Sequence, residues 1–213
     1  MKTGKYSDQI FINCPFDEQY VRLFRAIVFA IHDCGFIPRC SLEEDDATEF
    51  RLRVIVKLIK QCKYGVHDLS RVEVDNVTGL PRFNMPFELG IFYAAKTFGQ
   101  AHQRSKRCII LERRKYRYRA FISDLSGVDI KDHDNSIRRV ITRIRNRLIA
   151  SSRRTTIPFD VHISLRYQAF ERDFRRACRR LGIDPDKVSF VDLSRNITDW
   201  LSMNPKVRQV LFG

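Results

Sequence analysis

The chain alternates between two kinds of segment. Short apolar runs rich in β-formers occur at "QIFINCPF" (9–16), "FIPRCS" (36–41), "YGVHDLS" (64–70), "RCIILE" (107–112) and "GVDIKDH" (127–133). Between them lie segments whose apolar residues recur at helical spacing, as in Tyr20, Leu23, Phe24, Ile27, Ala30, Ile31 and Cys34, with Gly35 as the stop. Strand and helix alternating at this spacing predict an α/β fold with a parallel sheet covered on both faces. Five strands suit the flavodoxin-like order 2-1-3-4-5, whose ligand crevice lies outside the C-terminal ends of strands 1 and 3.

Beyond the fifth strand, "NSIRRVITRIRNRLIASS" predicts a helix, and a further one is expected over about 166–181. "VSFVDLS" (188–194) reads as a sixth strand and "NITDWL" as a last helix. Residues 1–155 are thus expected to form the α/β domain, and residues 156–213 a basic, mainly helical extension whose apolar stripe favours packing on it.

Charge divides the chain in the same way. The net charge is +14, yet residues 1–100 carry 13 basic and 13 acidic side chains, while residues 101–213 carry 26 and 12. The whole basic excess lies in the second half, which suits a nucleic acid, a polyphosphate or an acidic protein as partner. In the helix over 134–150, no acid follows Asp134 to balance Arg138, Arg139, Arg143 and Arg147. Such a face repels itself unless an anion lies on it, although solvated arginines are the plainer reading. "RRKYRYR" (113–119) interleaves arginine with Tyr116 and Tyr118, a mix that suits phosphate contact with base stacking or equally a mobile loop.

No run approaches a membrane span, and the first residues lack a signal-peptide core, so a cytoplasmic protein without membrane contact is expected. Six scattered cysteines, none in a CxxC, read as buried thiols, and no metal site is expected.

"FNMPFELGIFYAAK" (83–96) predicts a helix over about 86–98 with a single carboxylate, Glu88, in its first turn. Asn84 stands where an N-cap would, and Pro86 follows it. The helix dipole alone favours an acid there, so Glu88 is either a helix-start charge or the working group of a site. The fold rule brings three sets of polar residues to one crevice: Asn13, Cys14, Pro15, Phe16 and Asp17 after strand 1, Asp68 and Ser70 after strand 3, and Asn84 and Glu88 from the next helix. His67 precedes Asp68 and by strand alternation faces the other way. The acidic run 43–46 reads as a solvated loop near the crevice, placed where it could gate it.

"FINCPF" on the first strand, "DLS" ending the third and a helical "ELG" resemble the nucleoside 2-deoxyribosyltransferase-like proteins, and are similar to TIR-type NAD-cleaving domains, over about residues 8–150. The resemblance implies that Glu88 acts at the sugar carbon of an N-glycosidic bond, that Asp68 orients substrate, and that the "CPF" segment lines the base and sugar pocket. It also implies NAD as substrate rather than cofactor, a bacterial defence or toxin role as one possibility, and assembly into homo-oligomers. The segment from Arg71 to Phe83 is longer and more polar than in the deoxyribosyltransferases, and the basic C-terminal third lies outside their pattern, which favours hydrolysis over transfer. A different class of function fits the same residues: a non-catalytic module that senses a nucleotide in the crevice and holds nucleic acid on its arginines. The absence of GxxxxGK[ST] and GxGxxG argues against phosphoryl transfer.

Overall fold

The computed structural model describes residues 4–44, 46, 48–72, 79–80 and 82–206. Five strands, β1 (Gln9–Asn13), β2 (Ile37–Arg39), β3 (Tyr64–Asp68), β4 (Arg107–Glu112) and β5 (Lys131–Asp132), form one sheet in the order β2-β1-β3-β4-β5. Every neighbouring pair is parallel. Six α-helices are described: α1 (Val21–Asp33), α2 (Arg51–Gln61), α3 (Asn84–Phe98), α4 (Ile137–Ser152), α5 (Asp160–Arg180) and α6 (Phe190–Met203).

All five residues of β1 are buried, as a strand covered on both faces requires. Its side chains alternate between two cores. Ile10 and Ile12 join α1, α4, α5 and α6 in the larger cluster, while Phe11 joins α2 and Phe92 of α3 in a second. A third small cluster, Leu69, Met85, Leu89 and Ile110, seats the start of α3 beside β4. The chain turns out of α1 at Gly35, whose φ of +79° is a left-handed conformation that suits glycine.

The C-terminal helices share the core of the sheet. Phe29 of α1 meets Phe170 of α5 with ring centroids 5.3 Å apart and Trp200 of α6 at 5.9 Å. A buried cation reinforces the seam. Arg25, 1% exposed, reaches Glu171 at 3.1 Å and Asp186 at 2.8 Å, and donates to the Pro185 carbonyl. Each polar atom of its guanidinium that leaves water is met by an acceptor, which makes the burial tolerable.

The structure corrects several expectations from the sequence. Residues 188–194 are no strand: Ser189 caps α6 by accepting from the Asp192 N–H at 3.1 Å, and Phe190, Leu193 and Ile197 form a helical stripe. The fifth strand shrinks to Lys131–Asp132, and the first stops at Asn13, before Pro15, which has no N–H for a ladder. α5 starts at Asp160, well before the expected start. Two of the arginines of α4 find acids outside the helix, Arg139 and Arg143 lying 3.4 and 3.5 Å from Asp132, while Arg138 and Arg147 have no ion-pair partner among the described residues. Glu43 of the acidic run is no free loop charge; it accepts from Arg39 at 2.7 Å and from the Cys40 N–H at 3.0 Å. In "RRKYRYR", Tyr118 is buried and Arg117 turns inward to Glu112 at 2.8 Å, while Arg114, Lys115, Tyr116 and Arg119 are exposed, with Arg119 over the Tyr116 ring at 4.4 Å. Most of the polar segment before α3, residues 73–78 and 81, lies outside the described residues.

Candidate active site

Each of the strands β1, β3, β4 and β5 ends in a polar group, and these groups sort into two arrangements at the same end of the sheet.

The first is a closed network around Asp68. This carboxylate is fully buried. Its Oδ1 accepts the Ser70 N–H at 2.8 Å, and its Oδ2 accepts from the Tyr20 hydroxyl and, at 3.0 Å, from His133 Nε2. His133 Nδ1 accepts the Asn135 N–H at 3.0 Å, which leaves the ring proton on Nε2, where Ser70 Oγ also lies at 2.8 Å. Burial pushes the Asp68 carboxyl up, but the donors from His133, Ser70 and Tyr20 outweigh it and hold it below the usual carboxylate value. Burial and the adjacent Asp68 charge push the Tyr20 hydroxyl well up, so it stays a donor. Asp68 thus ties β3, the approach to α1 and the turn after β5 together. Ser70 is likewise spent on this network, and its carbonyl receives Arg117.

The second arrangement involves α3. Asn13 uses both amide hydrogens, one to the Met85 carbonyl at 2.9 Å and one to His67 Nδ1 at 3.1 Å. The tip of β1 is thereby pinned to the opening turn of α3. His67 lies on the face opposite Asp68, edge-on to Phe92 at 4.9 Å, and its Nε2 has no hydrogen-bond partner among the described residues. Burial first, then Lys106, push its pKa down to about 3, so the ring is neutral. Gly65 makes room for it: a Cβ there would lie 2.7 Å from His67 Nε2 and 2.9 Å from Phe92.

Glu88 sits one turn beyond Met85. The helix opens at Asn84, so Glu88 is its fifth residue, and no acid lies in the first turn. The helix-start reading of Glu88 is corrected accordingly. Asn84 is not the cap either; Phe83 holds that position, and its side chain makes no capping bond. Asn84 itself is exposed. Glu88 is half-buried, and among the described residues its carboxylate has no hydrogen-bond or ion-pair partner. Burial pushes its pKa up to about 7, with Arg51 at the head of α2 pulling the other way.

Cys14 lies between the two arrangements. It is 2% exposed. Burial raises its thiol well above the usual value, and the charges of both Asp68 and Glu88 add to the shift. Pro15 beside it is buried. Phe16 is half-buried and packs edge-to-face on Phe24 at 5.3 Å, as a wall of the larger core. Asp17 is committed to its own chain, accepting from the Tyr20 N–H at 3.1 Å and from Arg71 at 3.0 Å.

The sequence reading missed Tyr20, His133, Arg51 and Glu112. Tyr20 reads as one more apolar position of α1. Glu112 ends β4 and His133 directly follows β5, so the rule that assembled the site from strands 1 and 3 would have found them at the ends of strands 4 and 5. Glu112 is 1% exposed; its Oε1 takes Arg117 and the Arg113 N–H at 2.6 Å, while Oε2 is buried without a hydrogen-bond partner among the described residues. Among the described residues no group of three or more His, Cys, Asp or Glu side chains is placed to hold a metal ion, and no helix is long and apolar enough to cross a membrane.

Comparison with known proteins returns nothing similar: no family model, no curated protein and no solved structure matches the chain.

Proposed function

We infer that the chain hydrolyses the N-glycosidic bond of a nucleotide, with NAD as the best-fitting substrate and Glu88 as the group at the sugar carbon. One observation carries the reading: Glu88 is a half-buried carboxylate without a partner among the described residues, one turn from the carbonyl that Asn13 grips, with a proton affinity near neutrality. A carboxylate that contributes nothing to its own fold by pairing is available to a ligand. The reading takes the sheet as flavodoxin-like, with the ligand outside the tips of β1 and β3.

The chemistry follows from the charge. As the bond from C1′ to the nicotinamide nitrogen breaks, its electron pair neutralises the pyridinium, and positive charge develops on the sugar. Ionised Glu88 stabilises that charge. Water then bonds to C1′, and its proton passes to Glu88, whose proton affinity suits a general base at neutral pH. The leaving group is already cationic and needs no acid. Cys14, Pro15 and Phe16 wall the pocket, Asn13 positions α3, and Asp68 holds the strand ends as a positioning residue. A defence or toxin role fits such an activity.

A second reading is favoured by the surface of α5. Arg176, Arg179 and Arg180 are exposed and make no ion pair among the described residues, as a nucleic-acid-binding module that only senses nucleotides would have it. Incubation with NAD and chromatography of the products decides between them. The enzyme releases nicotinamide, and Glu88→Gln does not. Release by Glu88→Gln at the wild-type rate, or none from the wild type at any concentration or in any assembly state, overturns the hydrolase. The binding module instead predicts oligonucleotide affinity that falls steeply with salt.

A further inference from the structure

A cavity of about 600 Å³ opens between α4 and α5, lined by neither Glu88 nor Asp68. Four arginines line it, Arg22 from α1, Arg138 from α4, and Arg172 and Arg175 from α5, against a single acid, Glu171. That acid is already answered: Arg25 meets it from the core at 3.1 Å and Arg175 from the cavity side at 2.6 Å. Arg175 also reaches Asp186 at 3.5 Å. Arg22 and Arg138 have no ion-pair partner among the described residues, and Arg172 has only Asp173, at 3.8 Å between two exposed side chains. A pair of that kind contributes little. Two guanidinium groups without an ion pair, and a third with only that weak one, therefore line one concave space.

The backbone adds to the same field. Ser136, Ile137 and Arg138, the opening residues of the 16-residue α4, line the cavity. Ser136 Oγ caps the Arg139 N–H at 3.3 Å, but the Ile137 and Arg138 N–H groups precede the first helical acceptor and have no acceptor among the described residues. Free amides at the positive end of a helix favour an anion. Guanidinium forks match phosphate oxygens two at a time. The volume lies within the range of small-molecule sites, and it is a hollow rather than the extended stripe that a nucleic-acid backbone follows.

We propose that this cleft binds a small phosphorylated ligand with two or more linked phosphates, a nucleoside di- or triphosphate being the class that matches two unpaired arginines, a third that is only weakly paired, and an open helix N-terminus. The site is independent of Glu88, and its failure would leave the hydrolase reading untouched.

Titration calorimetry of the full chain with inorganic pyrophosphate and with ADP tests it. Both bind, and affinity falls as salt rises. Loss of one charge-assisted contact in Arg22→Ala or Arg138→Ala weakens each ligand about tenfold or more. Arg180→Ala, which removes an exposed arginine outside the cleft, leaves binding unchanged. Circular dichroism of each variant keeps folding out of the comparison, since Arg22 and Arg138 are both exposed. No binding at millimolar concentration, equal weakening by Arg180→Ala, or tight binding of an oligonucleotide that pyrophosphate does not displace would each overturn the proposal.

Discussion

Asp68 and Glu88 stand at the same end of the sheet and have lost much of their water, yet their ionisation moves in opposite directions. Asp68 is fully buried, and every donor it needs has been recruited from the chain, so its charge is held. Glu88 is only half-buried but has no donor among the described residues, and burial raises its proton affinity to about 7. Burial alone does not set the state of a carboxylate; the number of donors that arrive with burial does. A carboxylate whose partners are all supplied belongs to the architecture, and one left unsupplied is free for another molecule.

The largest expected effect separates the two on activity. Glu88→Gln keeps size and fold and lowers NAD turnover by about a thousandfold, the scale of one positioned electrostatic group. Asp68→Asn acts first on the fold: it breaks a buried network and costs about 3 kcal/mol, read from the shift in urea midpoint at constant slope. Equal loss of turnover in both variants with no change in stability would erase the distinction between them. A third variant reaches α3 without touching Asp68. Gly65→Ala drives a methyl against His67 and Phe92, and crowding of that kind costs about 1–3 kcal/mol. Because His67 and Asn13 hold the start of α3, turnover per folded molecule should fall as well, while the Tyr20–Asp68–His133 network stays intact.

Much of this architecture was legible from the alternation of segments, and the reason is physical. A strand such as "QIFIN" buried on both faces must be apolar throughout, and a helix such as α1 must repeat its apolar residues along one side. What resisted reading depended on distant contacts or on ambiguous short runs. "VSFVDLS" is apolar enough for a strand, but Ser189 and Asp192 form a capping pair that starts α6. Asn84 and Pro86 resemble a cap and first residue, whereas the helix opens at Asn84 and tolerates Pro86 because the first-turn N–H groups need no intrahelical acceptor. That shift moved Glu88 off the helix start. Tyr20 and His133 reach Asp68 from 48 and 65 residues away, and no local pattern marks either as its partner. Nor does the arginine run of α4 show in sequence that Asp132 will answer Arg139 and Arg143.

The smallest expected effect is a stability difference that changes with pH. The Glu88 carboxyl has a pKa of 4.5 in its ordinary setting and about 7 in the fold. Between those values the folded state holds more proton than the unfolded chain, so stability falls as pH rises from 4.5 to 7 and stays at its lower value above. With allowance for partial solvent access, the ionised form costs on the order of 1–2 kcal/mol. Asp68 works with the opposite sign: its depressed pKa lends stability above the unfolded value of 3.8, which is lost as pH falls below it. Urea unfolding of wild type and Glu88→Gln at pH 5 and pH 8 isolates the Glu88 contribution, because Asp68 is ionised throughout that window. Glu88→Gln should be the more stable protein at pH 8 and should lose that advantage at pH 5, where the wild-type carboxyl is protonated. An equal difference at both pH values would mean that Glu88 is solvated or paired in solution, and its likeness to a free working group would go with it. A gain in stability at pH 8 from the same substitution that removes turnover would instead place the cost of an unpartnered carboxylate on the side of function, where a ligand repays it.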